Sequence, residues 1–301
     1  MVDIERLSHV LTDLGVAPLV KAEELDGGSA AAFRLDLADG TRLILKTYDR
    51  AEKVPHREAY ASSLLAGVDV PHPRYLLVDE SMARLPHRFA LTTYVPGAAG
   101  TGFLGERELF TGIGRLARRL HSVVLPGFGA LSAPEYQTNS AYVRGLADHA
   151  FGRFAEYGAD PALVTALRDI LECDFAGVVL DTDRPVFAHD DLHPGNVLVS
   201  GAGEGLSIAG LVDFGNARAS SAVMDLAKTI FICEHEMPGS GAAVLAGYGP
   251  IDHPEPAKAL AFYTMLHRVI MWWWLRHIGV LATADAEVDV MTALLARAAK
   301  G

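Results

Sequence analysis

The chain of 301 residues has few cysteines and no uninterrupted apolar run long enough to cross a membrane. Its two cysteines, Cys173 and Cys233, are far apart and match no metal-binding spacing, so we expect buried thiols in a reducing compartment. The longest apolar stretch near the C-terminus is interrupted by Arg268, Arg276 and His277, which argues against a membrane span. The first residues lack the basic and apolar regions of a signal peptide. We therefore expect a cytoplasmic protein without a membrane partner, either monomeric or dimeric.

Basic residues are also scarce, with 26 lysines and arginines against 37 acids and a net charge of −11. The deficit is uneven, because residues 130–301 hold 21 acids and 11 bases, whereas residues 1–129 hold 16 and 15. This balance argues against nucleic acid as a partner, since such binding depends on basic contacts to phosphate. An acidic half suits a small cationic substrate. An acidic surface that keeps the protein soluble is nevertheless the simpler explanation of this charge balance.

Repeats and low-complexity segments are absent, and the length suggests two domains or lobes. Apolar periodicity predicts a helix over residues 3–14 and then, in order, β-strands over 19–25, 32–37, 42–48, 74–79 and 89–95. Helical spacing dominates later, with helices predicted over 109–120, 140–157 and 161–173, one that opens at Asp225, and one from about Pro256. This order predicts an α+β fold with a strand-rich first part and a helical second part.

The most plausible linker is the small, glycine-rich stretch that begins at Pro96. We therefore predict an N-terminal lobe over residues 1–95, a hinge over 96–105 and a C-terminal lobe over 106–301. In a cleft between such lobes, the backbone of Thr93 and Val95 would hydrogen-bond the edge of an adenine.

The most informative segment is a polar loop between two apolar runs, which predicts a strand, a loop and a second strand. The loop carries His189 and Asp191, with Asn196 five residues after the aspartate, and Asp213 follows a further apolar run. Phosphoryl transfer needs one carboxylate to accept the proton of the attacking hydroxyl and oxygen ligands that hold magnesium against the phosphates. At the kinase spacing, Asp191 would be the base, and Asn196 and Asp213 the metal ligands.

A simpler interpretation is an acidic turn that caps two strands in an ordinary protein of mixed fold. A lone His-x-Asp would favour that interpretation. The combined pattern from His189 to Gly215 is much harder to obtain by accident.

A second signal is Lys46, a lysine among apolar neighbours in the middle of a predicted strand. Such a lysine needs a partner. Glu58 lies on the apolar stripe of the next predicted helix, so the two side chains suggest a pair that positions the lysine for phosphate. Two surface side chains with buried stems are the alternative. The turn with Gly27, Gly28 and Ser29 would place backbone N–H groups over phosphates, although such a turn alone is weak evidence.

Residues for substrate recognition are harder to assign from the sequence. Glu234 and Glu236 lie in a predicted helix of the acidic half. Consecutive helical residues are about 100° apart, so Trp272 and Trp274 flank Trp273 on opposite sides, and one of them would form a substrate wall. Burial of the whole helix within its lobe is the alternative for either tryptophan.

Together these residues make the chain resemble the aminoglycoside phosphotransferases and related small-molecule kinases, which share the protein-kinase-like fold. The resemblance runs from about Leu25 to Lys228. It is carried by Leu25-Asp-Gly-Gly-Ser29, Leu45-Lys46, Arg57-Glu58, Val70-Pro-His-Pro-Arg74, Tyr94-Val-Pro-Gly97, Leu120-His121, Pro126-Gly-Phe-Gly129, His189-Asp-Asp-Leu-His-Pro-Gly-Asn196, Val212-Asp213-Phe214 and Asp225-Leu-Ala227. The match in the catalytic loop is highly specific, whereas the Gly-Gly-Ser match is not.

The resemblance implies a bilobal kinase-like architecture that binds ATP, with GTP as the alternative, together with Mg²⁺. It implies Asp191 as the base, Asn196 and Asp213 as magnesium ligands, and Lys46 on the phosphates beside Glu58. Leu198 is counted with the nucleotide-binding residues. His189 would tie the loop to the segment around Asp213, and Asp225 would support the catalytic loop.

The chain departs from the family pattern at two places. The family usually has glycine where this chain has Asp190, so an extra carboxylate lies beside the base, and we include Asp190 among the substrate candidates. The acid-rich turn that often precedes the Asp-Leu-Ala element is replaced by residues 218–224, which contain no Gly-Asp-Pro.

These observations predict an ATP- and Mg²⁺-dependent phosphotransferase that phosphorylates a hydroxyl of a small cationic molecule. An antibiotic is the leading hypothesis, either an aminoglycoside or a cationic peptide of the capreomycin and viomycin group, which would give resistance. A metabolic kinase of the choline, sugar or homoserine type is the first alternative. A nucleotide-binding pseudokinase is the second, and a protein kinase is disfavoured because little room is left for a long activation segment after Asp213.

Overall fold

The computed structural model describes residues 3–25, 31–48 and 54–280 of the chain. The predicted glycine-rich turn with Gly27, Gly28 and Ser29 lies outside these residues. The chain forms two compact units, each built from two segments: unit 1 comprises Met1–Ile113 and His193–Ala217, and unit 2 comprises Gly114–Leu192 and Arg218–Gly301. The lobe boundary at residues 96–105 stays a prediction, and the catalytic-loop motif contributes residues to both units.

The helices and strands follow the order expected from the sequence. The helices are α1 (Ile4–Asp13), α2 (Pro55–Leu64), α3 (Arg107–Leu120), α4 (Asn139–Glu156), α5 (Pro161–Val178), α6 (Ala222–Glu236), α7 (Gly241–Tyr248) and α8 (Pro256–His277). The strands are β1 (Leu19–Leu25), β2 (Ala32–Leu37), β3 (Arg42–Tyr48), β4 (Tyr75–Asp79), β5 (Arg88–Thr93), β6 (Ala98–Ala99), β7 (Phe128–Gly129), β8 (Pro134–Tyr136), β9 (Val186–Ala188), β10 (Val197–Ser200), β11 (Ser207–Leu211) and β12 (Arg218–Ser220). The α+β prediction is confirmed.

In unit 1 an antiparallel sheet of five strands has the order β1-β2-β3-β5-β4. Alternate residues of β2 and β3 are buried, among them Leu35, Leu43 and Leu45, and they form one core with Leu7 and other apolar residues of α1. Because side chains alternate across a strand, Lys46 lies on the opposite face of β3 from this core. A second, small sheet of the same unit has the order β11-β10-β6.

Unit 2 is mostly helical. Its core joins buried residues of α4, α5, α6 and α8, including Phe151, Leu171, Val223 and Tyr263. A small antiparallel sheet with the order β8-β7-β12-β9 borders the catalytic loop, because β9 ends immediately before His189. The predicted strand, loop and strand are therefore present, and the two strands that flank the loop belong to different sheets.

Some features departed from expectation. The short strands β6, β7, β8 and β12 were not predicted, because two or three residues carry no recognisable alternation. Helix α7, with the sequence Gly-Ala-Ala-Val-Leu-Ala-Gly-Tyr, was missed because it has no distinct apolar stripe. Cys233 is buried as expected, whereas the prediction for Cys173 was wrong, because this residue lies on the exposed side of α5. Within the described residues, we find no helix with the length and apolar character that a membrane span requires.

Candidate active site

Unit 1 holds a group of three charged residues, which we call the Lys46 cluster: Lys46 on β3, Glu58 on α2 and Asp213 after β11. The Lys46 Nζ atom lies 3.0 and 2.8 Å from the two carboxylate oxygens of Glu58 and 2.9 Å from Oδ1 of Asp213. Burial alone would lower the pKa of Lys46, but the charges of Glu58 and Asp213 outweigh it, and the pKa is raised. The lysine is therefore firmly protonated.

Two tyrosines surround this cluster. The Tyr75 hydroxyl, on β4, donates a hydrogen bond of 2.8 Å to Oε2 of Glu58, whose side chain is only 1% exposed. The ammonium group of Lys46 lies 5.3 Å from the centre of the Tyr48 ring, within the range of a cation–π contact. Burial and the charge of Glu58 raise the pKa of Tyr75 far above its ordinary value, so its hydroxyl remains a donor. Glu58 is thus held by Lys46 and Tyr75 together.

The two predicted metal ligands are brought to one end of a hairpin. Strands β10 and β11 pair antiparallel with Val197 opposite Leu211, so Asn196 precedes the first strand where Asp213 follows the second. The N–H of Val212 donates to the carbonyl of Asn196 at 2.9 Å, which joins the two segments directly. Asp213 has a left-handed backbone with φ of 62°, an uncommon conformation for a residue other than glycine.

Asn196 and Asp213 fit magnesium by their chemistry. They offer one amide oxygen and one carboxylate, and Mg²⁺ is commonly bound by one or two carboxylates plus phosphate oxygens and water. The described residues contain no group of three or more His, Cys, Asp or Glu side chains that could hold a metal ion by themselves. A metal held by Asn196 and Asp213 would take further ligands from phosphate oxygens and water.

The predicted adenine site is an apolar surface in unit 1. A Cβ atom added at Gly210 would lie 2.5 Å from Cγ1 of Val95 and 3.5 Å from Cδ1 of Leu198, so Val95 and Leu198 meet over this glycine. The N–H of Thr93 donates to the carbonyl of Arg74 at 2.9 Å. This bond occupies the Thr93 N–H within the sheet, so that donor is not offered to a base.

The residues that open the predicted catalytic loop belong to unit 2. Strand β9 pairs with β12, with Ala188 opposite Arg218, and delivers the chain to His189 and Asp191. His189 is fully buried, and Asp191 is partly exposed. The roles of Asp191 and His189 stay predictions.

A buried chain of hydrogen bonds supports this loop. Asp225, the fourth residue of α6, accepts from the N–H of Asp190 at 2.8 Å and contacts Nε2 of His121 at 2.9 Å. The other ring nitrogen of His121 lies 2.9 Å from the hydroxyl of Tyr248 on α7. Burial alone would raise the pKa of Asp225, but the hydrogen bond from His121 and that ring's charge outweigh it, and the pKa is lowered. An ionised Asp225 thus holds the loop through its backbone.

Asp190 is engaged within unit 2 itself. Its carboxylate lies 2.9 Å from Nε of Arg218 and 3.3 Å from Nζ of Lys228, and the residue is 8% exposed. The contact with Arg218 is an ion pair without the alignment of a hydrogen bond. Arg218 and Lys228 thus both contact the carboxylate of Asp190. These contacts within the protein argue against a role for Asp190 in binding the substrate.

The other substrate candidates differ in placement. Glu234 accepts from the N–H groups of Gly239 and Gly241, at 2.9 and 2.6 Å, so it caps the turn into α7. Glu236 is partly buried. Trp272 is 3% exposed and packs in the core of unit 2, with its ring centre 4.7 Å from that of Phe154. Trp274 is 41% exposed, so it is the candidate that offers a ring to solvent.

Sequence reasoning did not single out four residues that support the site: Tyr75, Tyr248, Arg218 and Lys228. Lys228 follows Asp225 by three positions in α6, so helical spacing could have indicated that the two share a face. The contacts of Tyr75, Tyr248 and Arg218 join distant parts of the chain and have no local signal.

Comparison with protein families decides the class of the protein. A family model described as the phosphotransferase enzyme family, APH, matches residues 21–260. The chain belongs to this phosphotransferase family. It is accordingly an enzyme of the small-molecule kinase class. No curated protein sequence matches the chain.

Solved structures of similar fold include several phosphotransferases. A thermostable mutant of aminoglycoside phosphotransferase APH(4)-Ia in a ternary complex with ADP and hygromycin B has a TM-score of 0.74 and 17% identity, covering 97% of this chain and 98% of that one. Macrolide 2'-phosphotransferase MphH from Brachybacterium faecium has a TM-score of 0.65 and 18% identity, covering 97% of both chains. An ethanolamine kinase from Plasmodium vivax has a TM-score of 0.65 and 13% identity, covering 93% of this chain and 82% of that one. At such identities the likeness establishes the kinase-like fold.

Proposed function

We propose that the enzyme transfers a phosphoryl group from ATP to a hydroxyl of a small cationic molecule, with Mg²⁺ as the metal. GTP is the alternative donor. The observation that supports this most directly is the Lys46 cluster, in which one lysine contacts both Glu58 and Asp213 at 2.8–3.0 Å. A kinase needs this arrangement because the lysine must be held in place to meet the phosphates.

Each part of the chemistry has a residue suited to it. Lys46 would neutralise phosphate oxygens, and Glu58 and Tyr75 would hold the lysine in position. Asn196 and Asp213 would hold magnesium, which would supply positive charge against the phosphate oxygens. Asp191 would orient the acceptor hydroxyl and take its proton. Val95 and Leu198 would contact the adenine through apolar surface.

Two observations support a cationic substrate: the charge of residues 130–301 and the ligand bound in one solved structure of similar fold. Residues 130–301 carry a balance of −10, and a negative surface raises the encounter rate of a cationic ligand. One solved structure of similar fold is complexed with ADP and hygromycin B. We therefore propose an antibiotic as the acceptor, with aminoglycosides and cationic peptides of the capreomycin and viomycin group as the classes to test first.

A panel assay tests the proposal. Phosphate transfer from labelled ATP is measured with aminoglycosides, including hygromycin B, with capreomycin and viomycin, and with choline, ethanolamine, homoserine and simple sugars. Mass spectrometry and NMR then map the modified hydroxyl. Transfer to a cationic antibiotic, with raised resistance in cells that express the enzyme, supports the proposal. Transfer only to a metabolic alcohol replaces the antibiotic with that class, and binding of Mg-ATP without turnover on any acceptor contradicts the proposed activity.

A further inference from the structure

Asp190 has a backbone conformation that is uncommon for residues other than glycine, although aspartate tolerates it better than most. Its φ angle is 55°, in the left-handed region where a side chain other than glycine's is disfavoured. It directly precedes Asp191, the proposed base. A strained residue at this place persists only if its surroundings hold it there.

The two peptide groups of Asp190 are held by one face of α6. Its N–H donates to Oδ1 of Asp225 at 2.8 Å, and its carbonyl accepts a short hydrogen bond from Nζ of Lys228. Asp225 and Lys228 are three residues apart in the helix, so they present their side chains on the same face. The bond from Lys228 is decisive, because that carbonyl belongs to the peptide bond that leads into Asp191.

The side chain of Asp190 is held from two elements. Nε of Arg218, on β12, lies 2.9 Å from its carboxylate, and Nζ of Lys228, on α6, lies 3.3 Å from it. Strand β12 is the partner of β9, which delivers the loop, so Arg218 is fixed relative to the same backbone. The charge of Asp190 in turn raises the pKa of Arg218, which keeps this partner protonated.

We propose that Asp190, Arg218 and Lys228 form a clamp that fixes the peptide before Asp191 and so orients the base towards the acceptor hydroxyl. This inference rests on the proposed phosphotransferase activity, and it makes the three residues positioning residues. The left-handed turn at residue 190 is one that glycine adopts without cost. Here the clamp holds an aspartate in this turn. The Asp190 carboxylate is the group through which Arg218 and Lys228 hold it.

The first test compares two small substitutions at the same place. Asp190→Gly removes the carboxylate but allows the left-handed backbone, whereas Asp190→Ala removes the carboxylate and keeps the backbone strain. We expect kcat to fall in both and to be roughly fivefold lower in the alanine variant, because the strained conformation becomes less populated. If Asp190 instead contacts the substrate, both variants lose the same contact, and equal losses of kcat overturn the clamp.

The second test removes the cation that bridges the carbonyl and the carboxylate. Lys228→Met should lower kcat roughly 10- to 100-fold through misplacement of the base. The KM for ATP should stay within about twofold, because the Lys46 cluster lies in unit 1 and is unchanged. Lys258→Met is the matched control, since Lys258 is a more exposed lysine of the same unit that pairs with Asp174 at 2.8 Å. A fall in kcat equal to that of the control contradicts the inference.

A third variant pair isolates backbone strain from catalysis. Met82 has a φ angle of 57° and is 57% exposed, so Met82→Gly and Met82→Ala repeat the substitution pair at a left-handed residue outside the proposed site. We expect the glycine variant to be the more stable of the two and both to keep wild-type kcat. If the Met82 pair changes kcat as the Asp190 pair does, the effect is one of general stability, and the clamp is rejected.

Hydrogen exchange provides a readout that needs no acceptor. Mass spectrometry of the peptide covering residues 186–196 should show faster amide exchange in Lys228→Met than in Lys258→Met. Equal exchange overturns the clamp, whatever the kinetics. Kinetics use the acceptor identified by the panel, or water through release of ADP from ATP. A wild-type enzyme that binds ATP but transfers phosphate neither to an acceptor nor to water would refute the proposed function. The exchange result would still decide whether the clamp exists.

Discussion

Two charged clusters among the described residues differ in their balance of charge. The Lys46 cluster of unit 1 has one cation between two carboxylates, and the side chain of Asp213 is 26% exposed. A second group in unit 2, which we call the Asp190 cluster, comprises Asp190, Asp225, Arg218 and Lys228. It contains two carboxylates and two cations: Arg218 and Lys228 both contact Asp190, and Asp225 accepts from the N–H of Asp190. The unbalanced cluster retains negative charge and so suits a metal ion, whereas the balanced cluster is suited to holding a backbone in shape.

Removal of Asp191, the proposed base, should have the largest effect, and it tests whether phosphoryl transfer depends on the loop beside the Asp190 cluster. Asp191→Ala should lower kcat roughly 10²- to 10⁴-fold without changing the fold, because a positioned base contributes about that much. Steady-state phosphate transfer measures the change. The control is Asp148→Ala, at a side chain that is 78% exposed on α4. Near-normal turnover of Asp191→Ala would show that the base has been assigned to the wrong residue.

Removal of the cation from the Lys46 cluster should come next. Lys46→Met leaves Glu58 buried without its charged partner, which costs about 3 kcal/mol of stability for a buried pair. The same change should raise the KM for ATP and lower kcat, since the phosphates lose their cation. Denaturant unfolding and kinetics measure both effects. Lys21→Met is the control, because Lys21 and its partner Glu23 are exposed, and its stability should change by less than about 1 kcal/mol.

The helix behind the Asp190 cluster should make unit 2 sensitive to acid. His267, on α8, is 4% exposed and bonds to the carbonyl of Met224 on α6 at 3.1 Å. Burial and then the charge of Lys228 lower the pKa of His267 to about 4.

The unfolded histidine binds a proton below about pH 6.5, whereas the folded one resists protonation until about pH 4, so stability falls as the pH drops between these values. From pH 7 to pH 5 this single group should cost about 2 kcal/mol. Thermal or denaturant unfolding of His267→Gln at both pH values should show that much less loss than the wild type. An unchanged difference would exclude His267 as the cause.

The smallest expected effect concerns the support of Glu58. Tyr75→Phe removes one hydrogen bond to a buried carboxylate and should lower stability by about 1 kcal/mol. We also expect a KM for ATP about threefold higher, since Lys46 is then held less firmly. Tyr60→Phe serves as the control at an exposed tyrosine of α2. If both variants behave alike, Lys46 alone holds Glu58, and Tyr75 is incidental to the cluster.

Several features could be predicted from the sequence, and each depends on local pattern. The bounds of β1, β2 and β3 follow from alternation and from the turns between them. The contact between Lys46 and Glu58 follows from one strand and the next helix. Strand alternation fixes the face of Lys46, and helical periodicity fixes the face of Glu58. The approach of Asn196 and Asp213 follows from the hairpin of β10 and β11.

Other features could not be read from local pattern. Trp272 and Trp274 are equivalent in the sequence, yet one is buried against Phe154 and the other is exposed, since only packing against other helices distinguishes two sides of α8. Glu234 was a candidate for binding a cationic substrate. In the structure it accepts from the N–H groups of Gly239 and Gly241, and these contacts depend on the turn before α7. Charge alone does not reveal which carboxylates are engaged inside the protein.

The sequence by itself determined the chemistry of the molecule: the order of strands and helices, the spacing of Asp191, Asn196 and Asp213, and the membership of the phosphotransferase family. These depend on the type and spacing of residues along the chain. Only the tertiary structure decided the part played by Asp190. Its partners Arg218 and Lys228 lie far along the chain, and only folding brings these cations to the left-handed aspartate.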